Sequence, residues 1–200
     1  MASGRATERW SPDLLRAALF CFNRYGWAGS TTSHMLGLRA YASVDPATLA
    51  IQIYLQAIRA YHAVLLTELG RTADLRTSIG RLLDAQLCWT IAHADEAEFL
   101  LATSTSVPLL AHLEEANDLQ RELLEAIGNW QRGLVARGEM RALPPEITRV
   151  ILLATGEQLA RYWLDGSYKQ GLLDNRETLA ESITRALGNP SEMRARRSPR

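Results

Sequence analysis

The chain has 200 residues, 47% of them hydrophobic and 22% charged, which is the composition of a folded globular protein. Its formal net charge of zero neither favours nor excludes nucleic acid as a partner. No apolar run approaches the roughly 18 residues needed to span a bilayer, and no apolar segment follows the first residues, so we expect neither a membrane partner nor a signal peptide.

The charges are unevenly distributed along the chain. Residues 1–71 hold seven Arg against four acidic residues, residues 72–190 hold eleven basic against seventeen acidic, and residues 191–200 hold four Arg against one Glu. A basic front on an acidic body is typical of a protein that contacts DNA with one end. An excess this small also arises by chance, and charge alone does not decide between the two.

Helical periodicity fills the first third of the chain. Ser11 is a suitable N-cap and Pro12 a suitable first helical residue, and Gly26 is expected to end that helix. Asp45 is the expected cap of a later helix, and Gly70 the expected stop of the one after it. The predicted helices of this third are 12–25, 32–40, one that begins at Pro46, and 56–69.

The remainder of the chain is a series of helices separated by Gly, Pro and Ser/Thr breakers. No stretch alternates apolar and polar residues between hairpin turns, so we expect an all-α fold of about nine helices. The predicted helices here are 72–93, 96–102, 109–116, 118–137, 146–164 and 175–187. The expected domains are a three-helix helix-turn-helix domain (1–55), a helical ligand-binding and dimerisation domain (56–188) and a disordered basic tail (189–200).

Two groups of residues form a recognisable layout. The first group is Leu15, Ala17, Ala18, Leu19, Phe22, Tyr25-Gly26-Trp27, Thr31-Thr32, Leu36 and Pro46-Ala47-Thr48-Leu49. The second is Ala136-Arg137-Gly138-Glu139-Met140-Arg141, followed by Pro144-Pro145-Glu146. This layout, over about residues 10–188, resembles the tetracycline-repressor (TetR) family of bacterial regulators. The resemblance implies a cytoplasmic homodimer that binds a palindromic operator in double-stranded DNA as a repressor, and releases it when a largely apolar small molecule binds.

The resemblance implies that the helix beginning at Pro46 enters the major groove with its first side chains on base edges. Thr48 offers a hydroxyl and a methyl group, and Gln52 has the carboxamide that reads adenine bidentately. N–H groups at the start of the preceding helix suit a phosphate. The expected DNA-binding residues are Thr31, Thr32, Ser33, His34, Pro46, Ala47, Thr48 and Gln52. The alternative is that Thr48 packs and Gln52 faces solvent.

Large or polar side chains on otherwise apolar helices are the candidates for an effector pocket, which the resemblance places among the middle helices. The expected ligand-binding residues are Trp89, His93, Phe99, Trp130, Gln158 and Tyr162. Aromatic residues at helical spacing also form ordinary cores, and this alternative stays open for each of them.

The resemblance places the dimer contact on the last two long helices, as a four-helix bundle between two copies. Both helices carry more apolar surface than one core-facing stripe needs, which favours a twofold dimer. The expected interface residues are Ile147, Val150, Ile151, Ala154, Trp163, Leu179 and Ile183. The alternative is that each apolar stripe faces its own core.

No catalytic or cofactor motif is present in the sequence. The four His residues form no His-x-x-x-His pair, and there is no Gly-x-Ser-x-Gly, Walker loop or GxGxxG. We therefore expect no enzyme activity, no metal and no cofactor, and a helical enzyme or metal protein is the least favoured class. Cys21 and Cys88 lie among apolar residues and are interpreted as reduced packing thiols.

Two departures from the family pattern leave a different function open. Ser43 stands where glycine is usual in the turn before the recognition helix. Residues 50–54 read Ala-Ile-Gln-Ile-Tyr and no Lys follows, where the family pattern has an aromatic-x-His-Phe segment and a phosphate-contacting Lys. These departures support a regulator-like dimer with a degenerate helix-turn-helix, which binds a small molecule or a protein but not DNA.

Overall fold

A computed structural model describes residues 11–29, 45–106 and 114–190. These ranges form seven helices and no strand, which confirms the all-α prediction. The predicted helix 32–40, most of the predicted helix 109–116 and the tail beyond residue 190 lie outside the described residues. The seven helices are α1 (Pro12–Gly29), α2 (Pro46–Leu69), α3 (Leu75–Ala92), α4 (Ala94–Ser106), α5 (Glu114–Ala136), α6 (145–164) and α7 (Arg176–Leu187).

The first helix begins as its sequence predicts, but it does not end at Gly26. Pro12 occupies the first helical position, and the Ser11 hydroxyl oxygen accepts from the Leu14 N–H at 3.3 Å. Gly26 has φ 65° and ψ 176°, in the left-handed half of backbone space that favours glycine. Helical structure resumes after it as far as Gly29, so Gly26 is a sharp bend in α1 rather than its end.

The second helix is continuous over 24 residues, and the predicted break between a helix starting at Pro46 and a helix 56–69 is wrong. No Gly or Pro interrupts this stretch, and consecutive turns around Ile53 and Ala57 are buried, so a helix satisfies the backbone where a turn would not. The expected domain boundary at 55/56 therefore falls inside a helix. By length and composition α2 could cross a membrane, but nine of its side chains are buried in the fold.

Two hydrophobic clusters share α2. The front core joins α1 to the first half of α2 and to Phe99 of α4. The body core joins the second half of α2 to α3, α5, α6 and α7, with Leu65, Ile79 and Ile127 fully buried at its centre. One helix therefore connects the two ends of the molecule.

Several helix bounds differ from the sequence prediction for local reasons. Helix α3 starts at Leu75 because the Asp74 carboxylate caps it, accepting from the Thr77 N–H at 3.1 Å. Helix α4 continues past its predicted end at residue 102, as far as Ser106. The buried Thr103 hydroxyl donates to the Phe99 carbonyl one turn earlier, so this polar side chain is satisfied within the helix. Helix α5 already covers residue 117, so the predicted break between 109–116 and 118–137 is wrong there.

The sixth helix contains a widened turn. It runs without interruption through Pro145–Arg149, a π-helical turn at Val150–Ala154 and Thr155–Leu164. Turns of this kind are frequent at functional sites. The extra residue in the turn rotates the side chains that follow relative to those that precede it. Here the turn lies directly after Arg149.

Candidate functional site

A cavity of about 140 Å³ lies inside the helical body. Helices α2 to α6 all contribute to its wall, so it is enclosed by the body and not by the front of the molecule. One part of the wall is apolar and the other carries tyrosine, histidine, glutamine and arginine side chains. The lining residues used below are Tyr54, Ile58, Tyr61, His62, Gln86, Trp89, Leu100, Leu101, Gln120, Leu123, Arg149, Glu157 and Arg161.

Arg149 is the central polar group of the cavity. Its guanidinium donates through Nη2 to the Gln120 Oε1 at 3.2 Å. Its Nε is buried and has no hydrogen-bond partner among the described residues. No described carboxylate lies within ion-pair distance of it. A half-buried guanidinium with an unused N–H is a binding site for a planar anion.

Tyr54 is joined to this group through Gln120. Burial raises the pKa of Tyr54, while the charge of Arg149 and a hydrogen bond from the Gln120 side chain act against the rise. Because that hydrogen bond acts to lower the pKa of Tyr54, it is donated to the tyrosine oxygen, and the amide nitrogen is the donor that the Gln120 side chain offers. Tyr54 therefore keeps its own O–H as a donor.

His62 is 3% exposed, and its Nδ1 has no partner among the residues that the structure describes. Burial and the nearby Arg149 charge lower its pKa from 6.5 to about 4, against a backbone hydrogen bond at Leu119 that acts to raise it. The ring is therefore neutral at pH 7 and adds no positive charge to the cavity.

A second polar cluster lies on the α3–α6 side of the cavity. The Gln86 amide donates to the Tyr61 hydroxyl at 2.7 Å and to the Leu153 carbonyl, within the π-helical turn, at 3.1 Å. Tyr61 donates to Glu157 at 3.5 Å. Burial, followed by the Glu157 charge, raises the pKa of Tyr61 well above its usual value. Gly156 makes room for Gln86, since a Cβ there would overlap the carboxamide.

Trp89 separates this cavity from a larger groove. The groove, about 690 Å³, lies between α1, the middle of α2 and the start of α4. Trp89 lines both spaces. Its ring centroid lies 5.1 Å from that of Tyr61 on the cavity side and 5.1 Å from the stacked ring of His93. Trp89 is thus the side chain that the two linings have in common.

Of the six side chains expected to bind a ligand, Trp89 lines the cavity and His93 lines only the groove. Phe99 belongs to the front core, where its ring lies 5.6 Å from that of Phe22, and Trp130 belongs to the body core. Neither is among the residues that line the cavity.

Gln158 and Tyr162 lie on the surface, and neither lines the cavity. Both are exposed four residues apart on the part of α6 that follows the widened turn, so they share a face there. Sequence reasoning missed Arg149 and His62, although His62 stands four residues after Ile58 and three before Leu65, on the buried stripe of α2.

The DNA-facing candidates are only partly described. Thr31, Thr32, Ser33 and His34 lie outside the described residues. Pro46 and Ala47 are half-buried, and Gln52 is half-buried against the groove. Thr48 is exposed, but its hydroxyl donates to the Asp45 carboxylate at 3.0 Å, and that carboxylate also accepts from the Thr48 N–H at 3.2 Å. Asp45 thus occupies the N-terminus of α2.

The expected dimer residues fall into three groups. Ile147 is 47% exposed and Val150 is 56% exposed, on the outward face of α6, whereas Ala154 is half-buried and Ile151 packs against the body core. Trp163 and Leu179 are half-buried against the cluster formed by Leu83, Leu87 and Leu172. Ile183 is 3% exposed inside the body core, so in this chain it packs on its own neighbours.

The cysteines and metal-binding side chains supply no further site. Cys21 is buried, which raises its pKa, whereas Cys88 is exposed and does not have the packing role expected of it. The two do not bridge each other. Within the described ranges no cluster of three or more His, Cys, Asp or Glu side chains has the arrangement of a metal site.

No protein-family model and no curated protein matches this sequence. Solved structures do. A bacterial regulatory protein of the TetR family from Rhodococcus RHA1 is 14% identical with a TM-score of 0.71, over 88% of this chain and 95% of that one. A TetR-family transcription regulator from Marinobacter aquaeolei VT8 is 15% identical with a TM-score of 0.65, over 88% and 94%.

A third solved structure was determined with a ligand. The transcriptional regulator FadR from Bacillus subtilis, in complex with stearoyl-CoA, is 13% identical with a TM-score of 0.67, over 86% of this chain and 96% of that one. At these identities the shared property is the fold. The chain has the fold of TetR-family regulators along most of its length.

Proposed function

We propose that this protein is a ligand-responsive transcription regulator of the TetR type, a homodimer that releases its DNA operator when a small molecule occupies the α2–α6 cavity. The continuity of α2 carries the proposal. The same uninterrupted helix presents Thr48 at its exposed start and lines the cavity with Tyr54, Ile58, Tyr61 and His62. Ligand binding that tilts or rotates this helix moves its N-terminus as one body.

The proposed dimer interface is the outward face of α6, with the adjoining surface of α7. Ile147 and Val150 expose large apolar side chains there, next to the smaller Ala154. Gln158 and Tyr162, exposed nearer the other end of α6, form its polar edge. A twofold contact on this face buries the exposed apolar groups of both copies, and operator half-sites would then be related by the same twofold axis.

The proposal is tested by selecting random duplex DNA with the purified full chain and measuring affinity for the enriched sequence across salt concentrations. We expect a palindrome and a steep loss of affinity with salt, because phosphate contacts release counterions. Thr48→Ala is expected to weaken binding about 5- to 50-fold, whereas Thr67→Ala, near the other end of the same helix, leaves it unchanged. Folded, dimeric protein that enriches no sequence, with or without added ligand, contradicts the proposal.

One observation favours a second candidate, a dimer that binds a small molecule or a protein but not DNA. The Asp45 carboxylate accepts from Ala47 and Thr48 at the start of α2, using N–H groups that would otherwise face a phosphate. It also places a negative charge where the DNA backbone would approach. The same selection experiment separates the two candidates, since this one predicts no enrichment and no salt-dependent binding.

A further inference from the structure

We propose that the α2–α6 cavity binds a monocyclic organic acid of about the size of benzoate, with its carboxylate on Arg149 and its ring against the apolar wall. The inference deepens the proposed function by naming the ligand class of the same site. The binding step itself needs only the folded chain, so it is tested without DNA.

The size of the cavity suits a ligand of one ring. Its volume is about 140 Å³, and an engineered apolar cavity of about 150 Å³ in another protein holds benzene. The apolar wall comes from three helices and the Trp89 indole. The side chains of this wall are Ile58, Trp89, Leu100, Leu101 and Leu123.

Arg149 supplies the anion-binding donor. Its Nε–H is buried and without a partner in the described part of the chain, while only Nη2 is bonded, to Gln120. A carboxylate accepting from Nε and a neighbouring Nη would complete the guanidinium in the bidentate geometry that suits this pair of groups. An unsatisfied, buried N–H on a charged group is costly, so a ligand that satisfies it gains binding energy from that relief.

The groups around Arg149 fit an acid better than a base. Tyr54 keeps its O–H as a donor, and the neutral His62 adds no charge of its own. Glu157 is the acidic residue among those lining the cavity, and its carboxylate accepts from the Tyr61 hydroxyl in the second polar cluster. Arg161 also lines the cavity, but its Nη1 already donates to the Leu101 carbonyl at 2.9 Å.

The test is isothermal titration of the full chain at pH 7 with benzoate and with benzamide, which has the same shape and no charge. We expect one benzoate per chain and at least tenfold weaker binding of benzamide. Arg149→Gln should weaken benzoate binding about 10- to 100-fold and leave benzamide binding within threefold. Arg76→Gln, a matched change at an exposed position of α3 away from the cavity lining, should alter benzoate binding less than threefold.

A second variant keeps the test decisive if Arg149→Gln fails to fold, which its melting curve would show. Tyr54→Phe removes one hydroxyl and should weaken benzoate about 3- to 10-fold. Absence of benzoate binding at millimolar concentration, equal affinity for benzoate and benzamide, or an Arg149→Gln chain that binds benzoate normally overturns the inference.

The two proposals fail separately. If benzoate binding depends on Arg149 but no operator is enriched, the regulator proposal is wrong and the proposed ligand class stands. If the chain enriches an operator but does not bind benzoate, the regulator proposal stands and the proposed ligand class is wrong.

Discussion

The two halves of α2 show how one regular helix serves two cores. Its first half packs Leu49, Ala50 and Ile53 on α1 in the front core. Its second half packs Leu65 and Leu69 in the body core. The polar groups differ as well: Asp45 and Thr48 are exposed, whereas His62 is almost completely buried. Because the two ends of α2 have different neighbours, we expect the front to open independently of the body.

Paired leucine truncations in α2 test this difference most directly. Leu65 is 0% exposed and Leu49 is 1% exposed, so each Leu→Ala change is expected to cost about 3 kcal/mol at its own site. Leu65→Ala should lower the free energy of global unfolding in urea by that amount. Leu49→Ala should instead accelerate hydrogen exchange in α1 while amides of α5 keep their protection. Equal effects of the two changes on α1 and α5 would show that the two cores unfold as one.

The buried imidazole in the second half of α2 predicts an acid-sensitive body. The pKa of His62 is about 4 in the folded chain and about 6.5 when unfolded. Between these values the unfolded state binds more protons, so stability falls as the pH falls. The loss between pH 7 and pH 4 amounts to about 3 kcal/mol. In urea melts across this pH range, the His62→Gln variant should therefore lose about 3 kcal/mol less stability than the unsubstituted chain. Parallel pH profiles for the two proteins would contradict the assignment.

The contact between α3 and α6 is predicted to be intolerant of a single methyl group. Gly156→Ala drives a Cβ into the Gln86 carboxamide, which is held by Tyr61 and Leu153, and should destabilise the chain by about 1–3 kcal/mol. The control is Gly80→Ala on α3, where a Cβ meets nothing within 4 Å. It should stabilise the chain by about 0.5–1 kcal/mol, because Ala favours a helix interior. Thermal melts that shift in the same direction for both would contradict this account.

The smallest expected effect is at the front of α2. Asp45→Ala removes the cap from the Thr48 N–H and should cost about 1 kcal/mol of stability. Under the regulator proposal it should also raise affinity for DNA several-fold, because a negative charge leaves the proposed phosphate-facing end. Asp74→Ala is the matched control: Asp74 caps α3 through Thr77 in the same way. It should cost similar stability and leave DNA affinity unchanged. If Asp74→Ala also raised the affinity for DNA, loss of the Asp45 charge at the start of α2 would not be the cause of the increase.

Much of the helical pattern was predictable because it depends on local signals. Ser11 and Asp45 cap helix starts through their side chains, and α2 ends before Gly70 as predicted, whereas Gly26, predicted to end α1, bends it instead. The continuity of α2 was not predicted. It depends on burial of side chains between residues 50 and 58 against both α1 and the body.

The cavity was less predictable than the fold. Trp89 was identified, but Arg149 was overlooked because one arginine in an amphipathic helix usually faces solvent. The widened turn at Val150–Ala154 interrupts the regular spacing of α6, and no sequence period reveals such a turn. Ile183 was assigned to an interface because apolar residues of a core and of a dimer contact have the same sequence signature. Only the packing in the folded structure distinguishes a core residue from an interface residue.

The unbroken α2 also has a mechanical consequence. Thr48 and Tyr61 are thirteen residues apart on one rigid rod, which places them about 20 Å apart along its axis. A tilt of about 5° around the cavity therefore displaces the start of the helix by about 1.7 Å, roughly half of the 3.4 Å rise between base pairs. In a symmetric pair of chains the two displacements add. Under the two proposals, a ligand of one ring would be read about 20 Å away, with no hinge within α2 to absorb the motion.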